Sequence, residues 1–142
     1  MAKEQVARFG VSLNPSLLRD LDRMAKKKGF QNRSLAISEM IRDQLVEHYQ
    51  DSGDGEVVGT VTLVYDHHRP QVQKRLTDIQ HKNLHTIIST LHVHLNHDNC
   101  LEVLVVRGRA SVVKGVANHL IAAKGIKHGK LTLTTTGEEL PP

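Results

Sequence analysis

Three histidines and the only cysteine of the chain lie within ten positions, in the segment LHVHLNHDNC at 91–100. His92 and His94 are two residues apart, so on a β-strand both side chains project from the same face. Cys100 begins the next apolar stretch, across a predicted hairpin from His94. Two imidazoles and a thiolate can therefore converge without rearrangement of the backbone. His81, at the end of a predicted helix, is a candidate fourth donor.

Imidazole and thiolate ligands are typical of zinc, copper and nickel sites, whereas magnesium and calcium prefer oxygen. A tetrahedral set of three nitrogens and one sulfur would suit zinc, and a planar set would suit Ni(II) or Cu(II). The spacing does not distinguish these geometries, nor does it say whether His81 comes from the same chain or from a neighbour. Without a metal, Cys100 would be a small buried hydrophobic residue.

The other residues around this cluster are assigned more modest roles. Val93 and Leu95 are predicted to face the core, on the side of the strand opposite His92 and His94. His97, at the tip of the hairpin, is expected to be exposed to solvent. Five further histidines are weaker ligand candidates: His67, His68, His85, His119 and His128.

The histidine cluster lies in a segment of alternating strand and helix patterns. The predicted elements are a strand at 56–65, a helix at 69–81, a hairpin of strands at 86–95 and 100–108, a helix at 111–125 and a strand at 130–136. The order βαββαβ predicts a ferredoxin-like domain. Many unrelated ligand-binding modules share this fold, so the fold alone does not identify the function.

The N-terminal segment has a different pattern. Residues 8–13, RFGVSL, alternate between apolar and other side chains, which predicts a half-buried strand. A helix is predicted to begin with Asn14 as its cap and Pro15 in its first position, and to end at Gly29. A second helix, capped by Asn32 or Ser34, is predicted to run toward residue 49. Its expected buried residues are Ile37, Met40, Ile41 and Leu45.

Composition limits the possible functions. The 142 residues suffice for one ordinary domain or two small ones, and the 39% hydrophobic content is adequate for a folded core. The sequence shows neither a membrane-spanning apolar run nor a signal peptide, so a cytoplasmic protein is expected. Residues 1–33 contain eight Lys and Arg but only three Asp and Glu. A basic N-terminal block on a balanced body favours a polyanionic partner for that block.

A single strand followed by two helices cannot satisfy the backbone of the strand within one small unit. The simplest solution is a dimer in which two strands pair antiparallel, and such a ribbon fits the DNA major groove. The pattern RFGVSL…NRSLAI resembles the ribbon-helix-helix DNA-binding domain. The resemblance implies that Arg8, Gly10 and Ser12 face the bases, although Gly10 has no side chain with which to form a hydrogen bond. It also implies a phosphate clamp at the start of the second helix, formed by Asn32, Arg33 and Ser34.

The whole chain resembles the nickel-responsive transcriptional regulator family. The resemblance rests on Gln80–His81, LHVHLNHDNCLE, KGIKHGKL and the spacing H-x₁₀-H-x-H-x₅-C from His81 to Cys100. It implies that His92, His94 and Cys100 bind one Ni(II) per subunit and that His81 is supplied by a partner subunit, completing a square plane. It also implies a homotetramer, a dimer of dimers, that represses transcription by binding double-stranded operator DNA.

The predicted architecture is therefore α+β. A ribbon-helix-helix domain, an obligate dimer, spans 1–50, and the linker DSGDGE spans 51–56. A ferredoxin-like, ACT-like nickel-binding and oligomerisation domain spans 57–142. The family often has an acidic pair that holds a secondary cation, and the matching positions here are Leu35 and Glu39. Since Leu35 cannot ligate a cation, the resemblance leaves open whether a secondary site exists.

Other functions remain as alternatives. A DNA-binding regulator that senses an amino acid or another metal would keep the N-terminal domain and change the signal. A zinc hydrolase would need an open coordination position and a general base, for which Glu102 or Asp98 is a weak candidate. A ribbon-helix-helix antitoxin would be expected to have a disordered tail in place of the second domain. We expect no enzyme activity and no small organic substrate.

Overall fold

The computed structural model describes residues 5–52, 54–138 and 140. The chain divides into two compact units, Met1–Asp43 and Gln44–Pro142, called here the N-terminal and C-terminal units. Residues 1–4, 53, 139 and 141–142, which belong to the predicted domains and linker, lie outside the described residues. The domain boundaries at 51–56 stay a prediction. None of the described helices combines the length and the apolar composition needed to cross a membrane.

Helix α1, Pro15–Lys27, begins as the sequence predicts. The Asn14 side chain accepts a hydrogen bond of 2.9 Å from the backbone N–H of Ser16. The chain turns after the helix at Gly29, whose φ of 82° favours glycine. Helix α2, Arg33–Ser52, is capped by the Asn32 side chain, which accepts from the backbone N–H of Leu35 at 3.0 Å. Both caps fix where the helices start, and α2 extends three residues beyond the predicted position 49.

The N-terminal segment differs from the prediction. Residues 5–14 belong to no helix or strand in the described chain, and Phe9 and Val11 are 73% and 63% exposed. Met40 and Ile41 of α2, expected to be buried, are also exposed. A strand needs a hydrogen-bonded neighbour, and the N-terminal unit of one chain offers none. The strand at 8–13 is therefore absent from the single chain, and its pairing with a second copy stays a prediction.

The C-terminal unit confirms the predicted βαββαβ order, and with it the α+β class. Its elements are β1 (Glu56–Asp66), α3 (Pro70–Lys82), β2 (Ile87–His94), β3 (Asn99–Arg109), α4 (Ala110–Ile121) and β4 (Ile126–Thr135). The strands form one antiparallel sheet in the order β2-β3-β1-β4. This is the arrangement expected for a ferredoxin-like or ACT-like domain.

Helices α3 and α4 cover one face of this sheet. Alternate residues of β1 and β3 are buried on that face, as the period of two along a strand requires. The helices contribute buried aliphatic residues to it: Val72, Leu76, Val113, Ala117 and Leu120. Neither α3 nor α4 covers the opposite face. It presents Val58, Val64, Leu101, Val103 and Val105, which are half-buried, with Leu91 and Val93, which are exposed.

The last strand begins earlier than predicted, at Ile126 rather than at residue 130. Ile126 pairs with Tyr65 and His128 with Val64, and a register shift lies between the two pairs. The bulge and Gly129 interrupt the alternation of apolar and polar residues, so the sequence pattern did not predict this part of the strand. Glycine is needed at 129 because an added Cβ would come within 2.7 Å of Ile121 and 3.1 Å of Leu63.

A substitution at Gly59 of β1 tests the register between β1 and β4. A Cβ there would collide with the backbone carbonyl of Thr132 in β4, so Gly59→Ala should destabilise the fold by about 1–3 kcal/mol. The control is Gly115→Ala on the exposed side of α4, where nothing lies within 4 Å, and which should stabilise by up to about 1 kcal/mol. Thermal unfolding of the metal-free protein at equal concentration compares the two. An unchanged midpoint for Gly59→Ala would contradict this register.

Candidate metal centre

Two rows of paired residues cross the sheet at the end where the histidines lie. In the first row Cys100 of β3 pairs with His94 of β2 on one side and with Tyr65 of β1 on the other. In the adjacent row Glu102 pairs with His92 and with Leu63. Directly paired residues of an antiparallel sheet project from the same face. All these side chains are therefore on the face covered by α3 and α4.

This register corrects the predicted orientation of β2. Val93 pairs with Leu101, on the face without helices, and is 37% exposed, while Leu95 lies beyond the strand and is 50% exposed. The prediction that they face the core was wrong. β2 is the edge strand of the sheet, so His92 and His94 stand at the rim of the helix-covered face and remain exposed. Alternation alone separated the two faces of β2 but could not say which of them the helices cover.

Cys100 and His94 form the closest pair of donors. The sulfur of Cys100, which is completely buried, lies 3.5 Å from Nδ1 of His94. Burial raises the pKa of the Cys100 thiol, and the carboxylates of Glu102 and Asp66 raise it further. The thiol thus keeps its proton at neutral pH until a cation displaces it. A buried sulfur beside an imidazole nitrogen is a suitable start for a site that binds a borderline or soft metal.

Glu102 is a buried carboxylate held by two hydrogen bonds. Tyr65 donates its hydroxyl proton to Oε2 at 2.8 Å, and the Gln80 side chain donates to Oε1 at 3.0 Å. Burial, followed by the hydrogen bond to Glu102, raises the pKa of Tyr65 far above its ordinary value, so this hydroxyl remains protonated. Gln80 precedes His81 on α3. The network therefore connects the helix that carries one predicted ligand to the strand that carries another.

His92 is oriented by the same network. Its Nδ1 lies 3.3 Å from the oxygen of Tyr65. Because Tyr65 donates its own proton to Glu102, the phenolic oxygen is left to accept one from Nδ1 of His92. That contact leaves the lone pair on Nε2 of His92 available to a cation. The ring centroids of His92 and His94 are 5.2 Å apart, and the ring planes form an angle of 66°.

The structure brings His67 to the same place, which the sequence ranked among the weaker candidates. Its ring centroid is 5.4 Å from that of His94. One donor atom each from His67, His94 and Cys100 lie within 4.8 Å of one another, so these three residues could share one ion. The reason is tertiary, since the loop after β1 passes beside the turn between β2 and β3, where the His67 N–H donates to the Asp98 carbonyl.

Two predicted ligands, His81 and His92, do not belong to the group of His67, His94 and Cys100 within one chain. His81 lies exposed in the last turn of α3 and belongs to none of the three-donor groups among the described residues, and the same is true of His92. A second group, His68, His97 and Asp98, lies exposed around the hairpin turn, as expected for His97. A set of imidazoles with one thiolate fits zinc, copper or nickel, in agreement with the sequence.

The residues predicted to contact DNA all lie in the N-terminal unit. Arg8, Gly10 and Ser12 are exposed in the segment before α1. Arg33 donates two hydrogen bonds to Asp22, Nε to Oδ1 at 2.7 Å and Nη2 to Oδ2 at 2.8 Å, and thereby joins α2 to α1. The hydrogen bonds from Arg33 lower the pKa of Asp22. Ser34 is exposed in the first turn of α2, next to Arg33.

From the sequence, Tyr65 and Gln80 had no role in the site. His67 was only a weaker ligand candidate, and Glu102 was considered only as a weak catalytic base. A signal for Glu102 was available. In CLEVLVV the residues Cys100, Glu102 and Leu104 share one phase, so a carboxylate occupies a core position and needs buried donors. No comparable pattern marks His67, whose approach to Cys100 depends on the path of a loop.

Comparison with known proteins finds matches along nearly the whole chain. Residues 58–134 match the family model described as the NikR C terminal nickel binding domain. The chain is 55% identical over 135 residues to a protein of Solibacter usitatus. The aligned region covers 95% of this chain and 97% of that protein. It is 48% identical over 135 residues to a protein of Pyrococcus furiosus, with coverages of 95% and 98%. Both relatives carry the name "Putative nickel-responsive regulator".

The family match covers more than half of the chain, and the identities extend over nearly its full length. They indicate a nickel-binding regulator of transcription rather than an enzyme. The fold, the donors around Cys100 and these relatives lead to the same conclusion: the chain belongs to the NikR family of nickel-responsive regulators.

Proposed function

We propose that this protein is a nickel-dependent repressor that binds one Ni(II) per subunit and then binds operator DNA. His92, His94 and Cys100 of one subunit would hold the ion together with His81 of a neighbouring subunit in a homotetramer. The observation that carries the proposal is the separation of 3.5 Å between Cys100 Sγ and His94 Nδ1, with His92 on the same strand face. With metal–ligand bonds of about 2.0–2.3 Å, adjacent donors lie roughly 3–3.8 Å apart.

The exposure of His81 supports its role as a ligand between subunits. Its side chain is accessible in the last turn of α3 and is free to reach the site of another copy. When bound, nickel would supply the bond that links the two subunits. Nickel would then be bound by His81 of one subunit and by the strand residues of another. A metal ion bound across a subunit contact stabilises the oligomer in which that contact is made.

The uncovered face of the sheet supports a homo-oligomer. It presents a continuous row of aliphatic side chains from β2, β3 and β1, with Leu91 61% exposed. A soluble chain rarely leaves a contiguous apolar patch of this kind in contact with water. A second copy of the same face would cover it, since two-fold interfaces bring identical patches together.

The N-terminal unit supports a second contact between copies. A groove in it is lined by aliphatic and aromatic side chains of the N-terminal segment and of α1 and α2, including Phe9, Val11, Leu21, Ile37 and Ile41. In one chain Phe9 and Val11 are exposed, although their alternation with polar residues is typical of a half-buried strand. Pairing of two such segments as a ribbon would bury them and turn Arg8 and Ser12 outward, toward the major groove.

The start of α2 supports a phosphate contact. The helix begins at Arg33, so the first N–H groups of α2 and its positive dipole end lie at Asn32–Ser34. The Arg33 guanidinium is held by Asp22. The proposed contact is therefore made by the backbone N–H groups and the Ser34 hydroxyl, while Arg33 keeps α1 and α2 in position.

Mixing two ligand variants tests whether the site is shared. His81→Ala and His92→Ala should each lose tight nickel binding and the thiolate-to-nickel charge-transfer band. Tetramers assembled from both variants in equal amounts should regain about a quarter of the parent sites, because some subunits then pair an intact strand with a partner's intact His81. The measurement is nickel titration against a chelator, with the band as readout. Mixed tetramers without any recovery would place all four ligands in one chain, or exclude His81.

Arg8→Ala tests the ribbon. The loss of one base contact should weaken DNA binding about 10- to 100-fold and leave nickel stoichiometry unchanged. The DNA is a double-stranded fragment selected from a random pool by the nickel-loaded parent, and affinity is measured by fluorescence anisotropy at fixed salt. Lys114→Ala, which removes an exposed positive charge on α4, is the matched control. Equal losses in the two variants would indicate nonspecific attraction in place of base readout.

Tyr65→Phe tests the network behind His92. Without the hydroxyl, Glu102 loses one of its two donors and His92 loses the contact at Nδ1. Nickel affinity should fall about 10- to 100-fold, as for other partners of metal ligands, while the far-UV circular dichroism is retained. The control is Tyr49→Phe, since Tyr49 is exposed on α2. If both variants bound nickel like the parent, Tyr65 would have only a packing role.

A further inference from the structure

Helix α4 begins at Ala110 without a capping residue of its own. The residue at the cap position is Arg109, whose side chain makes no capping hydrogen bond. An arginine side chain has donors but no acceptor, so it cannot bind the N–H groups of a helix. The first N–H groups of any helix have no partner within the helix itself. Those of α4 therefore need acceptors from elsewhere in the fold.

Two residues of the predicted linker supply these acceptors. The Asp54 carboxylate accepts hydrogen bonds of 2.9 Å from both the backbone N–H and the hydroxyl of Ser111. The backbone carbonyl of Gly55 accepts a hydrogen bond of 3.0 Å from the N–H of Ala110. The linker thus does for α4 what the Asn14 side chain does for α1.

Charge strengthens the attachment of Asp54. The hydrogen bonds from Ser111 lower the pKa of Asp54, and the nearby charge of Arg109 lowers it further. One carboxylate oxygen lies 3.4 Å from Nε of Arg109. The carboxylate is therefore ionised at neutral pH, and a negative charge at the start of a helix interacts favourably with the helix dipole.

The attachment lies close to the end of α2. This helix ends at Ser52 and β1 begins at Glu56, so three residues lie between the two elements. Two of the three, Asp54 and Gly55, are bonded to the first turn of α4. A single residue therefore separates the end of α2 from the attachment, and loss of the attachment would release two more.

We propose that Asp54 and Gly55 form a strap that caps α4 and fixes the point at which the linker joins the C-terminal unit. A strapped linker has fewer conformations to lose when the protein binds a partner. When two ribbons of one tetramer bind two half-sites, the second contact is intramolecular, and the strap would make it more favourable. This effect on DNA rests on the proposed function, whereas the strap itself does not.

Amide hydrogen exchange, read by NMR on the metal-free protein, tests the strap directly. In Asp54→Ala the N–H of Ser111 should exchange about tenfold faster or more. The N–H of Ala110 should also exchange faster, although its acceptor on Gly55 is unchanged. The midpoint of thermal unfolding should fall by roughly 2–8 °C, as for the loss of a helix cap.

Asp54→Asn is the matched control. It removes the same charge but keeps a side-chain oxygen that can accept from Ser111, and asparagine caps helices about as well as aspartate. Its exchange rates and unfolding midpoint should be those of the parent. Unchanged protection of Ala110 in Asp54→Ala would overturn the strap, because Gly55 would then be held without Asp54.

DNA affinity tests the consequence of the strap. The DNA is the fragment selected by the nickel-loaded parent, used whole and also halved at its centre. Asp54→Ala should bind the whole fragment about tenfold more weakly than Asp54→Asn does, and the two variants should bind the half fragment equally, because a half-site needs only one ribbon. Since both variants carry the same charge, the comparison excludes a general electrostatic effect. Nickel affinity should be the same in both.

The possible outcomes separate the strap from the proposed function. Equal binding of the whole fragment by the two variants would overturn the effect on DNA. A loss of the same size on the half fragment would also overturn it, because the ribbon itself would then be impaired. A nickel-loaded parent that selects no DNA would instead refute the proposed function, and the exchange rates of Ala110 and Ser111 would still decide whether the strap exists.

Discussion

Antiparallel pairing of β3 between β1 and β2 sets the position of every donor in the C-terminal unit. It aligns Tyr65, Cys100 and His94 in one row across the sheet and puts Glu102 and His92 in the next. A shift of one residue in either pairing would move the thiol or the histidines to the opposite face. The buried aliphatic residues of β1 and β3 oppose such a shift, because it would move Leu104 and Val106 off the helix-covered face. The core thus determines the geometry of the site.

Burial of the Glu102 carboxylate destabilises the fold, and hydrogen bonds from neighbouring side chains offset this cost. A carboxylate removed from water is destabilising unless donors replace its hydration, and Tyr65 and Gln80 supply two. The same two residues connect β1 and α3 to the strand of His92. A group that orients a ligand therefore also joins a helix to the sheet.

A single chain leaves apolar surface open at two places. The uncovered sheet face and the groove of the N-terminal unit each present aliphatic side chains that a lone subunit does not bury. In the proposed function, the formation of both contacts would link metal binding to DNA binding through assembly, without a conformational signal within one chain. Differential stability of assembled forms is sufficient for such coupling.

The sequence by itself determined the helix cap at Asn14, the βαββαβ order and the pair His94–Cys100, because these depend on local geometry and on a short hairpin. It left the cap of α2 open between Asn32 and Ser34, and the structure decided for Asn32. Its resemblance to a known family identified the metal and the regulator class. Only the tertiary structure decided which face of β2 the helices cover, where β4 begins after Ile121, and that His67 lies beside Cys100. These features depend on strand register, on a bulge and on the path of a loop. Contacts between residues distant in the chain fix them, and the hydrophobic periodicity of a single segment does not predict such contacts.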